Sequence, residues 1–166
     1  LDDILQDEEI QLVVVTTPGK MHYDYAKLLL EHGKNALIEK PFTETAAQAK
    51  ELFALAKEKG LFLQCYQNRR FDSDFLTVQK VIESSVLGDI LEVEMHFDYF
   101  RAEIRENTHT YSQVDSYLYA HGCHTIDQVL SYFGDPDEIH YDVRQLLGKG
   151  RMNDYFDLDF NYAGMN

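Results

Sequence analysis

A lysine follows a short apolar run in this sequence, within the tetrapeptide Glu39-Lys40-Pro41-Phe42. Residues 36–38 before it resemble a buried strand, and parallel sheets bind ligands beyond the carboxyl ends of their strands. Because Pro41 disfavours helical backbone at Lys40, the amine would be displayed at the strand end. Such an amine could take part in acid–base chemistry. The structural alternative is a surface lysine in an ordinary strand-to-helix turn.

A second group of reactive side chains lies in the segment His121-Gly-Cys-His-Thr-Ile-Asp127. His124 and Asp127 are three residues apart, so a helix would place them on one face. An imidazole can move a proton near neutral pH, and Asp127 could orient it or pair with a neighbour. His121, His124 and Asp127 could alternatively bind a metal ion, but would need a further ligand. Cys123 and His124 are poorly placed as a nucleophile and base, since adjacent helical residues diverge.

The first part of the chain alternates strand and helix patterns. Strands are predicted at 12–15, 35–38 and 61–66, with helices at 21–32 and 44–59, the second helix capped by Thr43 and ended by Gly60. The β-branched run at 12–15 is typical of a strand that is covered on both faces. Short strand–helix–strand connections predict a parallel sheet with right-handed crossovers. The strand ends at Thr17, Lys40 and Asn68 should therefore share one edge.

The second part of the chain shows different sequence patterns. Helices are predicted at 73–84 and 124–133, an irregular segment at 101–120, and alternating apolar and polar residues at 91–99, 139–143 and 156–162. Such alternation indicates an antiparallel sheet with one packed face. The predicted fold class is therefore α/β, with a parallel sheet followed by an α+β domain whose open sheet is mainly antiparallel. The boundary is placed between residues 1–70 and 71–166.

The charge distribution supports that boundary and excludes some classes of binding partner. Residues 1–70 carry 9 Lys+Arg and 11 Asp+Glu, whereas residues 71–166 carry 6 and 18. The total of −14 argues against nucleic acid or an anionic membrane as a partner. No apolar run reaches the roughly 18 residues that a membrane helix needs. Two cysteines cannot form a disulfide framework, which favours buried, reduced thiols in a cytoplasmic protein. The N-terminus is expected to be internal to a longer protein.

Several ordered motifs together resemble the Gfo/Idh/MocA oxidoreductases. They are Val-Val-Val-Thr-Thr-Pro at 13–18, His22, Glu-Lys-Pro-Phe at 39–42, Tyr-Gln-Asn-Arg-Arg-Phe-Asp at 66–72 and Gly-Cys-His-Thr-Ile-Asp-Gln at 122–128. The resemblance implies a Rossmann domain, here only its later part, followed by a substrate domain. It also implies NAD or NADP as cofactor, and hydride transfer to or from a sugar- or polyol-like small molecule. A homo-oligomer formed through the antiparallel sheet is the expected assembly.

The resemblance assigns roles to particular residues. Lys40 matches the family's catalytic lysine, His124 matches its histidine near the substrate oxygen, and Asp127 is a further catalytic candidate. The expected cofactor-binding residues are Thr17, Pro18, His22, Glu39, Lys40 and Asn68. The mechanism requires that the Lys40 amine and the His124 imidazole, which lie in different domains, converge on one reacting oxygen.

Two departures from the family pattern limit this reading. The glycine-rich fingerprint that holds a pyrophosphate is absent, so this fragment is expected to be inactive by itself. Ala120 stands where family members often have an aspartate, four residues before the histidine. Either Lys40 and His124 suffice without it, or another group such as His121, Tyr119 or Asp115 replaces that aspartate. The alternative is a non-catalytic sensor or assembly module that retains the fold.

Overall fold

The computed structural model describes residues 1–100, 113–147 and 152–163, which divide into two compact units. The first unit contains residues 1–66 together with 113–114. The second contains residues 67–100, 115–147 and 152–163. Each unit has a sheet of its own, parallel in the first and antiparallel in the second.

The first unit is a three-stranded parallel sheet with helical connections. Its elements are α1 (Asp2–Gln6), β1 (Leu12–Val15), a 3-10 turn (Gly19–Met21), α2 (His22–Glu31), β2 (Asn35–Ile38), α3 (Ala46–Lys59) and β3 (Leu63–Cys65). The strand order is β1-β2-β3, and Val15, Ile38 and Cys65 are in register. The predicted parallel sheet is confirmed, although β3 is shorter than the predicted 61–66. The three strands end at one edge.

Among the residues that the structure describes, the sheet is fully covered on only one of its faces, which differs from the expectation for β1. Successive right-handed crossovers in the order β1-β2-β3 put α2 and α3 on the same face. The core on that face consists of Val15, Ala26, Leu29, Leu30, Ala36, Ile38, Leu52 and Ala56. Burying each of the larger aliphatic side chains contributes about 1.5–3 kcal/mol. Val14 points the opposite way and is 51% exposed.

The N-cap of α3 is Thr45, not the predicted Thr43. The Thr45 hydroxyl accepts a hydrogen bond from the Gln48 amide, and the Gln48 side chain accepts one from the Thr45 amide. This reciprocal capping box satisfies two amides that a helix start leaves open, so the helix begins at Ala46. Thr43 instead donates its hydroxyl to the Thr45 carbonyl. Gly60 ends the helix as predicted, with a φ of 66°.

A surface network joins α2 to α3. The Lys27 ammonium and the Tyr23 hydroxyl both donate to the Glu51 carboxylate, at 2.7 and 2.8 Å. The hydrogen bond from Lys27 has the larger effect, and together with that from Tyr23 it holds the pKa of Glu51 below its ordinary value. Exposed pairs of this kind contribute little to stability. The packing of the two helices therefore depends on the apolar core beneath them.

The second unit combines helices with a two-stranded ribbon. Its elements are a 3-10 turn (Asn68–Phe71), α4 (Ser73–Glu83), a π-helical turn (Leu118–Gly122), α5 (Cys123–Phe133), β4 (Glu138–Arg144) and β5 (Tyr155–Asn161). The ribbon is antiparallel, as predicted, with Tyr141 opposite Leu158 and Val143 opposite Phe156. Phe75 of α4 packs edge-on against Tyr132 of α5, with ring centroids 6.4 Å apart.

The strand predicted at 91–99 is not formed. This segment pairs with no strand among the described residues, and Leu91 is 87% exposed. A period-2 pattern specifies which side chains share a face, whereas a strand also needs a hydrogen-bonded neighbour. A groove of about 1610 Å³ lies between this segment, β5 and α5. Neither Lys40 nor His124 is among the groove's lining residues.

Part of the predicted irregular segment 101–120 lies outside the described residues, which resume at residue 113. A 3-10 turn (Gln113–Asp115) comes before the π-helical turn. Cys65 and Cys123 are half-buried reduced thiols, less buried than expected. Among the described residues, no helix has the length and apolar character needed to cross a membrane.

Candidate functional site

Two backbone amides hold the turn that follows β2 by hydrogen bonds. The Glu39 amide donates to the Val15 carbonyl at 3.0 Å, which extends the contact between β1 and β2 by one residue. The Lys40 amide donates to the Glu39 carboxylate at 3.0 Å. The Lys40–Pro41 peptide is cis, and the Lys40 side chain is half-buried. The Lys40 side chain therefore extends from a hydrogen-bonded backbone at the carboxyl end of β2.

His22 joins the turns that follow β1 and β2. Its Nδ1 lies 2.8 Å from the Pro41 carbonyl oxygen, and its Nε2 lies 2.8 Å from the Thr17 carbonyl oxygen. The side chain is only 1% exposed. Each ring nitrogen therefore faces a backbone carbonyl oxygen. The structure thus brings together Thr17, His22, Glu39 and Lys40 at one edge of the sheet.

This edge suits the polar groups of a bound dinucleotide. The Thr17 hydroxyl is buried and has no hydrogen-bond partner among the described residues. A buried hydroxyl without a partner costs about 1–3 kcal/mol. A polar ligand group at the carboxyl end of β1 would remove that cost. Thr17, Glu39 and Lys40, which were expected to contact the cofactor, all lie at this edge. Pro18 is exposed and begins the 3-10 turn.

The predicted imidazole lies in the second unit, at the start of α5. His124 is 6% exposed and follows the π-helical turn directly. At Gly122, the end of that turn, a Cβ would lie 2.9 Å from the Leu118 side chain and 3.1 Å from the Phe156 ring of β5, so these side chains would have to shift for any larger residue. Local π-helical geometry is common at functional sites. The Phe156 ring of β5 therefore packs closely against the turn that precedes α5.

An aromatic cluster surrounds the π-helical turn. It consists of Phe97, Tyr99, Tyr117, His121, His124 and Phe156. His121 stacks on Tyr117 at 4.5 Å, and the Phe97 ring lies 6.3 Å from that of His124. The Tyr117 hydroxyl donates to the Phe97 carbonyl at 2.6 Å. The segment that was predicted as a strand thus packs against the histidines through Phe97 and Tyr99.

Asp127 forms an ion pair with Arg70. The Arg70 guanidinium donates two hydrogen bonds, at 2.6 and 2.7 Å, one to each oxygen of the carboxylate. The Asp127 side chain is 13% exposed. In addition, Gln128 donates to the Arg69 carbonyl at 2.8 Å. Of the two roles predicted for Asp127, the structure thus shows the pairing with a neighbour. The ion pair and the Gln128 hydrogen bond together anchor α5 to the 3-10 turn at 68–71. Asn68 is exposed within that turn.

We expect Arg70 and Asp127 to be energetically coupled. A bidentate, partly desolvated arginine–carboxylate pair should couple by about 1–2 kcal/mol. A double-mutant cycle with Arg70→Met and Asp127→Asn, followed by urea unfolding, measures this coupling. Arg69 and Asp72 supply the control, because the Asp72 carboxylate is more exposed than that of Asp127 and the pair joins residues of one local segment. A coupling no larger than that of the control pair would contradict the prediction.

Sequence reasoning missed two side chains at this site. Gln67 donates weakly to the Cys123 carbonyl, at 3.5 Å, and Gln128 is buried against the 3-10 turn. Both lie inside motifs that were read for their charged or reactive residues. Among the described residues no group of three or more histidine, cysteine, aspartate or glutamate side chains is arranged to hold a metal ion. The alternative metal site built on His121, His124 and Asp127 thus has no support from this geometry.

Comparison with known proteins gives matches along nearly all of the chain. The model of the oxidoreductase family with an NAD-binding Rossmann fold matches residues 1–67, and the GFO/IDH/MocA C-terminal domain matches residues 75–165. An uncharacterized oxidoreductase of Escherichia coli, YhhX, is 53% identical over 165 residues. The scyllo-inositol 2-dehydrogenase (NADP(+)) IolW of Bacillus subtilis is 37% identical over 167 residues.

A solved structure agrees with these matches. The crystal structure of an oxidoreductase from Bacillus cereus is 44% identical, with a TM-score of 0.90 over 99% of this chain. The alignments cover 99% of the chain for YhhX and 98% for IolW, but only 47% and 46% of those proteins. The Bacillus cereus protein is likewise covered over 47% of its length. The chain therefore spans about half the length of the relatives that it matches.

Proposed function

Because this chain belongs to the Gfo/Idh/MocA family of NAD(P)-binding oxidoreductases, we propose that the full protein is a dehydrogenase or reductase. It transfers a hydride between nicotinamide and a carbon that carries a hydroxyl or carbonyl group. The substrate is a sugar or polyol. The observation that carries the proposal is the fixed turn at the carboxyl end of β2, from which Lys40 extends. Ligands of parallel sheets bind beyond such ends.

Lys40 and His124 manage the proton of the reaction. When bound, NAD(P) supplies the site that accepts or releases the hydride. Oxidation of an alcohol also requires that the hydroxyl proton leave, and reduction requires that one be delivered. Lys40 holds the substrate oxygen by a hydrogen bond and takes part in this transfer. His124 supplies or accepts the proton, which a positioned imidazole does well near neutral pH.

Two further residues act on His124 in this proposal. Asp127 is a positioning residue, because its carboxylate anchors α5 through Arg70. His121 stands in for the aspartate that Ala120 replaces. Of the candidates, His121 packs against the same Phe97 ring as His124, with ring centroids 5.6 and 6.3 Å from that of Phe97, whereas Asp115 is exposed. A second imidazole in the same aromatic cluster could receive the proton that His124 releases.

The substrate class is supported by one relative and by chemistry. IolW, which is 37% identical, is named a scyllo-inositol dehydrogenase that uses NADP. A ring with several hydroxyl groups also suits a site with aromatic side chains, since its apolar faces can stack on them. Because the chain spans about half of its relatives, we propose that the 166-residue chain does not turn over alone.

The proposal is tested on the full-length protein by a substrate screen. Nicotinamide absorbance is followed with NAD and with NADP, in both directions, across sugars, inositols and their keto forms. Turnover of at least one member of these classes is expected. Binding of the nicotinamide cofactor without turnover of any of them would overturn the proposal in favour of a non-catalytic sensor.

We also propose a homo-oligomer formed through the antiparallel sheet. On the apolar face of the ribbon, Ile139 is 51% and Tyr141 77% exposed, although each lies opposite an apolar residue of β5. A second subunit would cover these side chains. Sedimentation equilibrium of the full-length protein tests this assembly, and a monomer at micromolar concentration would contradict it.

A further inference from the structure

We propose that His22 is a positioning residue for Lys40. It joins two turns that are distant in sequence, one after β1 and one after β2, through carbonyl groups at Thr17 and Pro41. Pro41 is the residue next to Lys40, so the contact acts on the backbone from which the amine extends. This inference rests on the proposed function for its effect on turnover, but not for its effect on the turn.

The burial of His22 makes this role specific. The ring is 1% exposed at the first position of α2, which itself packs against β1 and β2. Carbonyl oxygens only accept hydrogen bonds, so a neutral ring satisfies one of the two contacts and an imidazolium satisfies both. An imidazolium thus ties the two turns together by two hydrogen bonds, and a neutral imidazole donates to one turn while its other nitrogen lies 2.8 Å from the carbonyl of the second. A purely packing residue would need neither contact.

Apolar contacts restrain the same turn in addition to the carbonyl contacts of His22. A Cβ at Gly19 would lie 3.4 Å from the Pro41 ring and from Val114, so the 3-10 turn approaches Pro41 closely. Phe42 packs on Phe53 of α3, with ring centroids 5.4 Å apart. These apolar contacts set the distance of the turn from its neighbours. The carbonyl contacts of His22 set its orientation.

A mispositioned amine should cost rate more than binding. A displacement of about 1 Å at a reacting group can lower a rate roughly 100-fold. In His22→Phe, which keeps a ring but loses both polar atoms, we expect kcat of the full-length protein to fall about 10- to 100-fold. The KM for the substrate should change by less than about threefold, because substrate binding does not depend on the position of the Lys40 amine alone.

The turn itself provides a readout that is independent of activity. Hydrogen exchange of a peptide that spans residues 38–43 should become faster in His22→Phe, without cofactor or substrate. His22→Gln, which keeps one donor, should give smaller changes in both measurements and serves if the phenylalanine variant does not fold. His32→Asn is the matched control, because His32 lies at the other end of α2 and its Nδ1 lies 2.8 Å from the Leu28 carbonyl oxygen of the same helix.

The outcomes separate the two proposals. Faster exchange at 38–43 together with a loss of kcat supports the positioning role. Unchanged exchange in a folded His22→Phe protein would overturn it, whatever the kinetics. Faster exchange in a protein whose wild type shows no turnover would contradict the proposed function but leave the role of His22 in the turn intact. A fall in thermal stability with normal exchange and normal kcat would show packing alone, and would also overturn the inference.

Discussion

Replacing Lys40 by methionine is expected to lower kcat of the full-length protein by a factor of about 10² to 10⁴. Methionine keeps most of the apolar stem and removes the amine, so the loss reports the missing hydrogen bond and proton transfer. The Lys40 amide would still donate to the Glu39 carboxylate, since that contact belongs to the backbone. Steady-state kinetics with the substrate found by the screen measures the effect.

The controls for Lys40 separate charge from proton transfer. Lys40→Arg keeps the positive charge, but a guanidinium does not release its proton at accessible pH, so this variant should also lose most of kcat. Lys50 is an exposed lysine on α3, and Lys50→Met should leave kcat within about twofold of wild type. Near-normal turnover in Lys40→Met would remove Lys40 from the mechanism. Rescue by arginine would reduce its role to that of a charge.

Replacing His124 by asparagine is expected to lower kcat by a factor of about 10² to 10³. Asparagine is smaller and polar, and it cannot gain or lose a proton near neutral pH. The cofactor affinity should change little, because His124 belongs to the second unit and the Rossmann match ends at residue 67. The measurements are kcat at several pH values and a fluorescence titration with the nicotinamide cofactor.

A histidine in the same unit serves as the control for this variant. His140 is exposed on β4 and lies 3.4 Å from the Glu138 carboxylate. His140→Asn should leave both kcat and cofactor affinity near wild type. If His124→Asn retained more than about half of the wild-type kcat, His124 would not be the residue that handles the proton.

Combining the two variants tests whether the amine and the imidazole act on one oxygen. Residues that act as a unit lose activity in a strongly non-additive way. The protein with both Lys40→Met and His124→Asn should therefore be about as slow as the slower single variant. A loss equal to the product of the two single losses would indicate independent roles. In that case the proposed convergence of the two groups would be wrong.

The positions of β1, α2 and α5 could be predicted because their signals are local. The β-branched run of β1, the helical period of α2 and α5, and the positive φ of Gly60 each depend on a few neighbouring residues. The start of α3 shows the limit of this reasoning. Thr43 and Thr45 are both plausible caps, and the reciprocal bonds with Gln48 decide between them.

The sequence by itself determined the order of elements, the parallel sheet and the placement of Lys40 at a strand end, because short-range periodicity and turn residues encode them. Tertiary structure decided the partners. His22 contacts Pro41 across 19 residues and Arg70 contacts Asp127 across 57. Within the described part of the chain, the segment 91–99 pairs with no strand although its pattern suits one. Hydrogen bonds between distant segments depend on how the chain packs, and an alternating pattern does not specify the neighbouring strand that would complete a ladder.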